Sequence, residues 1–237
     1  AGVAEHQPDE TAEDLVRLYG IERGRIRVIY PAYDPRFRPL PTPELEPVRQ
    51  RYDTGPHYLL HVGSLSAKKN LSSLLLAYES LQDDGYDGRL VLVGRRYGKG
   101  HDRAFFARLE RSPYRADVRL TGPVPDEDLP ALYNAADAVV FPSMHEGFGI
   151  VPVEAMACGA PVVASNAGAL REVLGDGALI VEDATDPEAL AAATRSLLED
   201  DLRRDGLIAR ALMRAKRYSC SVAAEQTLSL YREVLAS

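Results

Sequence analysis

Short apolar runs alternate with helix-length segments from His57 to the end of the chain. Apolar runs that lack polar alternation are typical of parallel strands buried on both faces of a sheet. The sequence therefore predicts an α/β fold with a doubly wound, Rossmann-like parallel sheet in the strand order 3-2-1-4-5-6. The predicted strands cover residues 58–62, 89–93, 118–121, 138–141, 161–164 and 178–181.

The segments between and after these strands have the spacing of amphipathic helices. The last two of them close the chain and are expected to flank the sheet as C-terminal helices. The predicted helices cover about residues 71–81, 102–111, 126–134, 151–157, 169–174, 187–198, 202–218 and 221–235.

The first 56 residues follow a different pattern. Residues 11–19 predict a helix with Thr11 as its N-cap, and residues 25–30 predict a strand. Prolines then recur from Pro31 to Pro47, and their fixed φ angles and missing N–H donors oppose helix and sheet alike. We therefore divide the chain into residues 1–30, a proline-rich linker at residues 31–56 and a main domain at residues 57–237.

Charge and composition narrow the function classes. The chain has 28 Lys+Arg against 35 Asp+Glu, a formal net charge of −7, which opposes binding to nucleic acid. Cys158 and Cys220 have neither a metal-ligand spacing nor the pattern of a disulfide framework, so a reducing cytoplasmic location is expected. No apolar run approaches the roughly 20 residues that span a bilayer. The chain begins without Met in mid-pattern, and we expect it to be a fragment of a longer protein or a chain processed from one.

The loop after the first strand carries candidate chemistry, because ligands of doubly wound sheets bind where the first and fourth strands end side by side. Gly63 allows a sharp turn, Ser64 follows it, and Lys68 and Lys69 place two ammonium groups before a helix, where an anion such as phosphate is favoured. Neither GxxxxGK[ST] nor GxGxxG occurs here. Two solvated surface lysines are the alternative interpretation. His61, inside the strand, is expected to be a satisfied core histidine.

The loop after the fourth strand leads through two glycines into a short helix. The backbone N–H groups of Gly149, Ile150 and Val151 are expected to point into the crevice, where they could hold a pyrophosphate. Glu146 precedes this helix and Glu154 lies within its first turns, so both carboxylates can face the crevice. Glu154 is suited to bind a ribose diol. The alternative is that both groups only complement the helix dipole, worth about 0.3–1 kcal/mol each.

The second loop resembles a family signature. The runs EGFG from Glu146 and EAMACG from Glu154 are similar to the E-x7-E signature of the retaining GT-B glycosyltransferases of family GT4. The resemblance covers about residues 57–237. It departs from the family pattern at Ser64, where many members have Arg, and at residues 218–220, where Tyr-Ser-Cys stands in place of the frequent Phe-Ser-Trp.

The resemblance implies a division of labour between two domains. In that family a C-terminal Rossmann-like domain binds the nucleotide-sugar donor, and an N-terminal domain supplies the acceptor site. Residues 57–237 would thus be the donor-binding domain, and residues 1–30 the tail end of an acceptor domain whose remainder is missing here or lies on another chain.

The resemblance also implies roles for individual residues. Glu154 would bind the ribose and Glu146 the donor hexose, while Lys69 would neutralise the diphosphate with Lys68 as a second cation. The remaining donor-binding positions would border the base, the sugar and the phosphates. They are Gly63, Ser64, Val124, Asp126, Phe148, Gly149, Ile150 and Val151.

The implied activity is retaining transfer of a hexose from a nucleotide diphosphate sugar, with Glu146 and Lys69 as the catalytic residues and with no metal or other cofactor. The first loop is similar to those of bacterial mannosyl- and rhamnosyltransferases of polysaccharide assembly, which favours GDP-mannose over a UDP-sugar. Two alternatives stay open. One is a non-catalytic nucleotide-sugar binding module or the C-terminal subunit of a split transferase. The other, less favoured, is a nucleotide-sugar 2-epimerase with His145 as acid/base. Contact with the inner face of the membrane, through the acceptor domain, also stays open.

Overall fold

The computed structural model describes residues 8–96 and 103–236, and a parallel sheet forms its centre. Its strands are β1 (Tyr58–Val62), β2 (Arg89–Val93), β3 (Val118–Gly122), β4 (Ala138–Phe141), β5 (Val162–Ser165) and β6 (Leu179–Val181). They lie in the order β3-β2-β1-β4-β5-β6, and every neighbouring pair is parallel. The predicted fold class and strand order are confirmed, and β1 and β4 end side by side.

The helices of the described chain are α1 (Pro8–Tyr19), α2 (Glu46–Tyr52), α3 (Leu71–Asp83), α4 (Arg103–Leu109), α5 (Leu129–Ala135), α6 (Ile150–Ala157), α7 (Leu170–Leu174), α8 (Pro187–Glu199), α9 (Asp201–Ala215) and α10 (Cys220–Ala236). Helices α2 to α9 cover the two faces of the sheet, whereas α1 and α10 add no described residue to the buried core on either face, so the expectation that the last helix flanks the sheet is wrong. Leu59 and Val140 pack with α3, α4 and α8 on one face, whereas Leu60 and Val139 pack with α2, α5, α6 and α7 on the other. Burial on both faces explains the continuous apolar runs.

The predicted strand at residues 25–30 is wrong. Arg23–Arg25 form a 3₁₀ turn, and residues 26–30 pair with no strand within the described ranges. An unpaired strand leaves its N–H and C=O groups without ladder partners, so this apolar segment runs as coil. Thr11 is also not an N-cap, because α1 begins at Pro8. The predicted start of α4, Asp102, lies outside the described residues.

Residues 31–56 contain more structure than the prolines suggested. The expectation that the prolines oppose a helix is wrong for α2, where Pro47 occupies the first turn, in which a missing N–H costs nothing. Phe37, Leu45 and Val48 are buried in the core beside α5. The segment is therefore packed onto the sheet domain, and the division into domains stays a prediction.

The two ends of the described chain are in contact. The N–H of Tyr33 donates to the carbonyl of Tyr218 at 3.0 Å, and Tyr218 belongs to a 3₁₀ turn that follows α9. Arg27 pairs with Glu233 of α10 at 2.8 Å.

Among residues 8–96 and 103–236, no helix combines the length and the apolar character needed to cross a membrane.

Candidate functional site

The loop after β1 presents Lys69 at the carboxyl edge of the sheet. A 3₁₀ turn at Ala67–Lys69 is followed by Asn70, which adopts a left-handed conformation with φ 51° before α3 begins. A Cβ added at Gly63 would lie 3.5 Å from Cε of Lys69, so the two residues are close neighbours. Lys68 is exposed, and its side chain has no partner within the described part of the chain. The loop thus offers one largely buried and one free cation.

The loop after β4 brings Glu146 to the same edge. The N–H of Met144 donates to the carbonyl of Lys68 at 2.8 Å, which joins the two loops through their backbones. The ammonium of Lys69 donates to Oε1 of Glu146, and Oγ of Ser143 donates to the same oxygen at 2.6 Å. The side chains of Lys69 and Glu146 are only 14% and 16% exposed. Water screens this ion pair less than it screens a surface pair.

Neighbouring segments fix the position of Glu146. At the end of β5, Oγ of Ser165 donates to the carbonyl of Ser143 at 2.5 Å. Both serines are fully buried. The carbonyl of Glu146 itself accepts the N–H of Ala169 at 3.3 Å. Residues of the loops after β1 and β4 therefore hold the carboxylate, while Ser165 and Ala169 hold the backbone around it.

Gly149 determines how α6 begins. Its φ is 87°, and an added Cβ would lie 2.5 Å from Cδ2 of Leu170, so both the backbone conformation and the space require glycine. The helix starts without a side-chain cap, and the first N–H groups of an α-helix have no acceptor within the helix. Ile150 and Val151 line the adjacent cavity, where these amides can meet an anion.

The cavity in front of the two loops has a volume of about 980 Å³, a size typical of small-molecule sites. One wall is formed by the ends of β1 and β4, by Lys68 and Lys69, and by residues 145–152. The other wall is formed by residues 26–29, Pro31 and side chains of α1. The coil segment mispredicted as a strand is therefore part of this cavity.

Glu154 lies one helical turn beyond Ile150, about 6 Å further along α6. Its Oε2 accepts a hydrogen bond from the hydroxyl of Tyr133 at 3.4 Å. Burial raises the pKa of Glu154 to about 7; the hydroxyl of Tyr133 opposes this rise, and the charges of Asp126 and Asp34 add to it. At neutral pH this carboxyl is therefore divided between its protonated and charged forms.

The predicted site residues fall into two groups. One group lines the cavity and consists of Lys68, Lys69, Glu146, Phe148, Gly149, Ile150 and Val151. The other lies outside the lining and consists of Gly63, Ser64, Val124, Asp126 and Glu154. We call Lys68, Lys69, Ser143 and Glu146 the Lys69 end, and Tyr133, Asp126 and Glu154 the Glu154 end. Helix α6 connects the two.

The ring of Phe148 belongs to an aromatic cluster. Its centroid lies 5.9 Å from that of Tyr30 and 5.4 Å from that of Tyr218. The hydroxyl of Tyr218 donates to the carbonyl of Val173 at 2.8 Å. Tyr218, where the family often has Phe, thus packs against the entry to α6. Cys220, in place of the frequent Trp, is exposed.

His61 is buried at the end of β1. Its Nδ1 donates to the carbonyl of Val140 at 2.9 Å, whereas Nε2 is buried with no hydrogen-bond partner in the described structure. The prediction of a satisfied core histidine is thus confirmed for one nitrogen and wrong for the other. Burial lowers the pKa of His61 to about 4, so the ring is neutral at physiological pH.

The sequence interpretation did not select two residues of these ends, Ser143 and Tyr133. Ser143 had a usable signal, since it is a polar residue just after a buried strand and three residues before Glu146. Tyr133 had none, because its hydroxyl reaches Glu154 only through the packing of α5 on α6. Within the described ranges, no group of three or more His, Cys, Asp and Glu side chains could hold a metal ion.

Comparison with known proteins finds a matching family model and relatives of similar sequence. A family model described as "Glycosyl transferases group 1" matches residues 44–214. The chain is 36% identical over 226 residues to O-antigen chain mannosyltransferase B of Escherichia coli, covering 94% of this chain and 58% of that protein. It is 36% identical over 245 residues to a D-inositol 3-phosphate glycosyltransferase of Kineococcus radiotolerans, covering 96% and 56% respectively. The chain thus spans somewhat over half the length of these relatives.

Solved structures share the fold. Sucrose-phosphate synthase from Thermosynechococcus elongatus matches with a TM-score of 0.80 and 27% identity, over 98% of this chain and 57% of that chain. HepE of Anabaena, solved in complex with UDP, matches with a TM-score of 0.82 and 21% identity, over 98% and 63%. The C-terminal domain of a glycosyl transferase group 1 family protein from Francisella tularensis matches with a TM-score of 0.65 and 21% identity, over 78% and 96%.

Proposed function

Because the chain belongs to the glycosyl transferases group 1 family, we propose that it supplies the donor-binding half of a retaining hexosyltransferase that uses a nucleotide diphosphate sugar. The observation that carries this proposal is the convergence of Lys68, Lys69, Glu146 and the first turn of α6 on one cavity. Ammonium groups and helix N–H groups are suited to a diphosphate. The acceptor site would belong to a separate N-terminal domain.

The proposed mechanism uses charge that develops in the transition state. As the bond between the sugar and the diphosphate breaks, the leaving diphosphate gains negative charge. Lys69, Lys68 and the amides of α6 would stabilise that charge more in the transition state than in the ground state. This chain's own cations thus supply the countercharge, and the proposal includes no metal. Glu146 would contact the hexose.

The Glu154 end is proposed to bind the nucleoside. Glu154 would accept hydrogen bonds from the ribose hydroxyls, and Val124 and Asp126 would border the base. The proximity of Asp126 to Glu154, through its effect on the pKa of that carboxyl, supports this grouping. The name of the E. coli relative specifies mannosyl transfer and supports GDP-mannose as donor. The UDP complex of HepE makes a UDP-sugar the second candidate.

Calorimetric titration of the whole chain tests this function. GDP, UDP, GDP-mannose and UDP-glucose are compared with AMP, first on the unaltered chain and then on Lys69→Ala. We expect at least one diphosphate series to bind more tightly than AMP. We also expect Lys69→Ala to weaken that binding about 100-fold, because a charge-assisted contact is lost.

The matched control is Lys216→Ala, which removes an exposed lysine outside the cavity lining. This variant should bind diphosphates as the unaltered chain does. Equal heats for AMP and every diphosphate, or equal losses in the two lysine variants, would contradict the proposed donor site.

A further inference from the structure

The Lys69–Glu146 ion pair places a carboxylate where the diphosphate is proposed to bind. The ammonium of Lys69 touches Oε1 of Glu146, so an anion that contacts this ammonium also comes close to that carboxylate. The negative charges of the anion and of the Glu146 carboxylate then repel each other. Because the side chains of Lys69 and Glu146 are little exposed, water screens this repulsion only weakly. Lys69 therefore attracts a bare anion at this site, whereas Glu146 repels it.

Glu146 keeps hydrogen-bonding capacity for a neutral group. Its Oε1 accepts from Lys69 and Ser143, whereas its Oε2 accepts no hydrogen bond from any residue that the structure describes. A carboxylate oxygen takes donors only. The hydroxyls of a hexose can donate to it, whereas the terminal phosphate of a nucleoside diphosphate is an acceptor and carries extra negative charge. A sugar thus satisfies Oε2, and a bare phosphate repels it.

We propose that Glu146 makes the site discriminate between the sugar-bearing nucleotide and the nucleoside diphosphate that is left after transfer. This inference rests on the function proposed above. With a hexose attached, the carboxylate contributes a favourable contact. Once the hexose has left, the same carboxylate faces the terminal phosphate and weakens product binding, while Lys69 stays in place for the next donor.

Ser143 is the positioning residue of this arrangement. Its hydroxyl holds Oε1, and its own backbone is held by Ser165 of β5. The backbone of Glu146 is held in turn by Ala169. The carboxylate therefore cannot turn away from an approaching phosphate without breaking its contacts with Ser143 and Lys69. Loss of the Ser143 hydroxyl would let it turn away and would lessen the penalty.

The test compares the dissociation constants of GDP and GDP-mannose, with UDP and UDP-glucose as a second pair, for the unaltered chain and for Glu146→Gln. The glutamine keeps the shape and removes the charge. We expect Glu146→Gln to bind the nucleoside diphosphate about tenfold more tightly, since like-charge repulsion is lost, and to bind the sugar nucleotide no better. Unchanged or weaker binding of the nucleoside diphosphate would overturn the proposal.

Ser143→Ala keeps the charge and frees the carboxylate, and it serves as the second variant if Glu146→Gln folds poorly. We expect the ratio of the dissociation constant of GDP to that of GDP-mannose to fall about threefold, in the same direction as for Glu146→Gln. An unchanged ratio in a folded Ser143→Ala chain would also overturn the proposal. A merely structural serine would lower stability and weaken both ligands alike.

The matched control is Glu79→Gln. Glu79 is another largely buried glutamate, 12% exposed and paired with Arg108, and it lies outside the cavity. Glu79→Gln should leave the dissociation constants of the nucleoside diphosphate and of the sugar nucleotide unchanged.

Lys69→Ala distinguishes failure of this inference from failure of the proposed function. If Lys69→Ala weakens diphosphates and Glu146→Gln does not tighten them, the discrimination alone is refuted. If Lys69→Ala changes nothing, the proposed function fails as well.

Discussion

Glu146, in the loop before α6, and Glu154, within α6, come from one short stretch of chain but differ in the charges and hydrogen bonds around their carboxyl groups. Glu146 contacts a cation and a serine hydroxyl through a single oxygen. The carboxyl of Glu154, eight residues later, accepts a single 3.4 Å hydrogen bond from the residues that the structure describes, that of Tyr133, and burial with two nearby negative charges raises its pKa to about 7. The difference shows that the chemistry of a motif position is decided by what packs against it.

The two ends would therefore recognise a ligand in different ways. The Lys69 end offers two ammonium groups and a carboxylate, which suit a diphosphate and the group attached to it. The Glu154 end offers a carboxyl that gains or loses a proton near neutral pH, so its affinity for hydroxyl donors depends on pH.

The largest effect is expected at Gly149, which lies between the two ends. Gly149→Ala places a Cβ 2.5 Å from Leu170 and forces alanine to a φ of 87°. We expect a loss of about 3 kcal/mol or more in the free energy of unfolding, because overpacking and backbone strain add. Urea denaturation measures it. Gly24→Ala, where an added Cβ meets nothing within 4 Å, is the control and should change stability by less than about 0.5 kcal/mol.

The next effect concerns the proton on Glu154. Its folded-state pKa of about 7 lies above the ordinary value of 4.5, so the folded chain favours the protonated form, and the resulting stability is lost as pH rises from about 4.5 to 7. Glu154→Gln cannot ionise. It should therefore be more stable than the unaltered chain by about 2–3 kcal/mol at pH 8 and nearly equal to it at pH 4, by urea denaturation at both values.

The control for this prediction is Glu199→Gln, at an exposed position in the last turn of α8. It should show no comparable gain at pH 8. If Glu154→Gln gave the same stability difference at pH 4 and pH 8, burial would not be acting on the ionisation of Glu154.

The smallest effect is expected at Tyr133. Its hydroxyl donates a long hydrogen bond to Glu154 and thereby opposes the rise of the pKa of that carboxyl. We expect GDP to bind more tightly on the alkaline side, where the carboxylate of Glu154 can accept hydrogen bonds from ribose. Tyr133→Phe should move the midpoint of this pH dependence to higher pH, by less than about one pH unit. Calorimetry from pH 5.5 to 8.5 checks this. A midpoint that moves down would contradict the assigned role of Tyr133.

Much of the fold could be predicted because burial on both faces of the sheet leaves a strong signal in the sequence. The six strands were placed to within a residue or so, and their order followed from the handedness of crossover connections. The errors arose where structure depends on a partner or on a position within a helix. Residues 25–30 have the composition of a strand but no strand to pair with, and Pro47 is tolerated in α2 because it stands in the first turn.

The site was predictable to the level of loops but not of contacts. The rule that ligands bind at strand ends selected the loops after β1 and β4, and Met144 and Lys68 join these loops directly. The sequence did not predict that Lys69 would be paired with Glu146, because spacing does not reveal the direction of a side chain. It also could not predict the raised pKa of Glu154, which depends on how α5 packs against α6 and on charges from distant segments.

If the two ends bind different parts of one ligand, a crossed titration will separate them. GDP, guanosine and pyrophosphate are titrated into the unaltered chain, Lys69→Ala and Glu154→Ala. We expect Lys69→Ala to weaken the binding of GDP and pyrophosphate and to spare guanosine, whereas Glu154→Ala should weaken the binding of GDP and guanosine and spare pyrophosphate. If either variant affected all three ligands alike, or if neither affected GDP, the two ends would not form one nucleotide site.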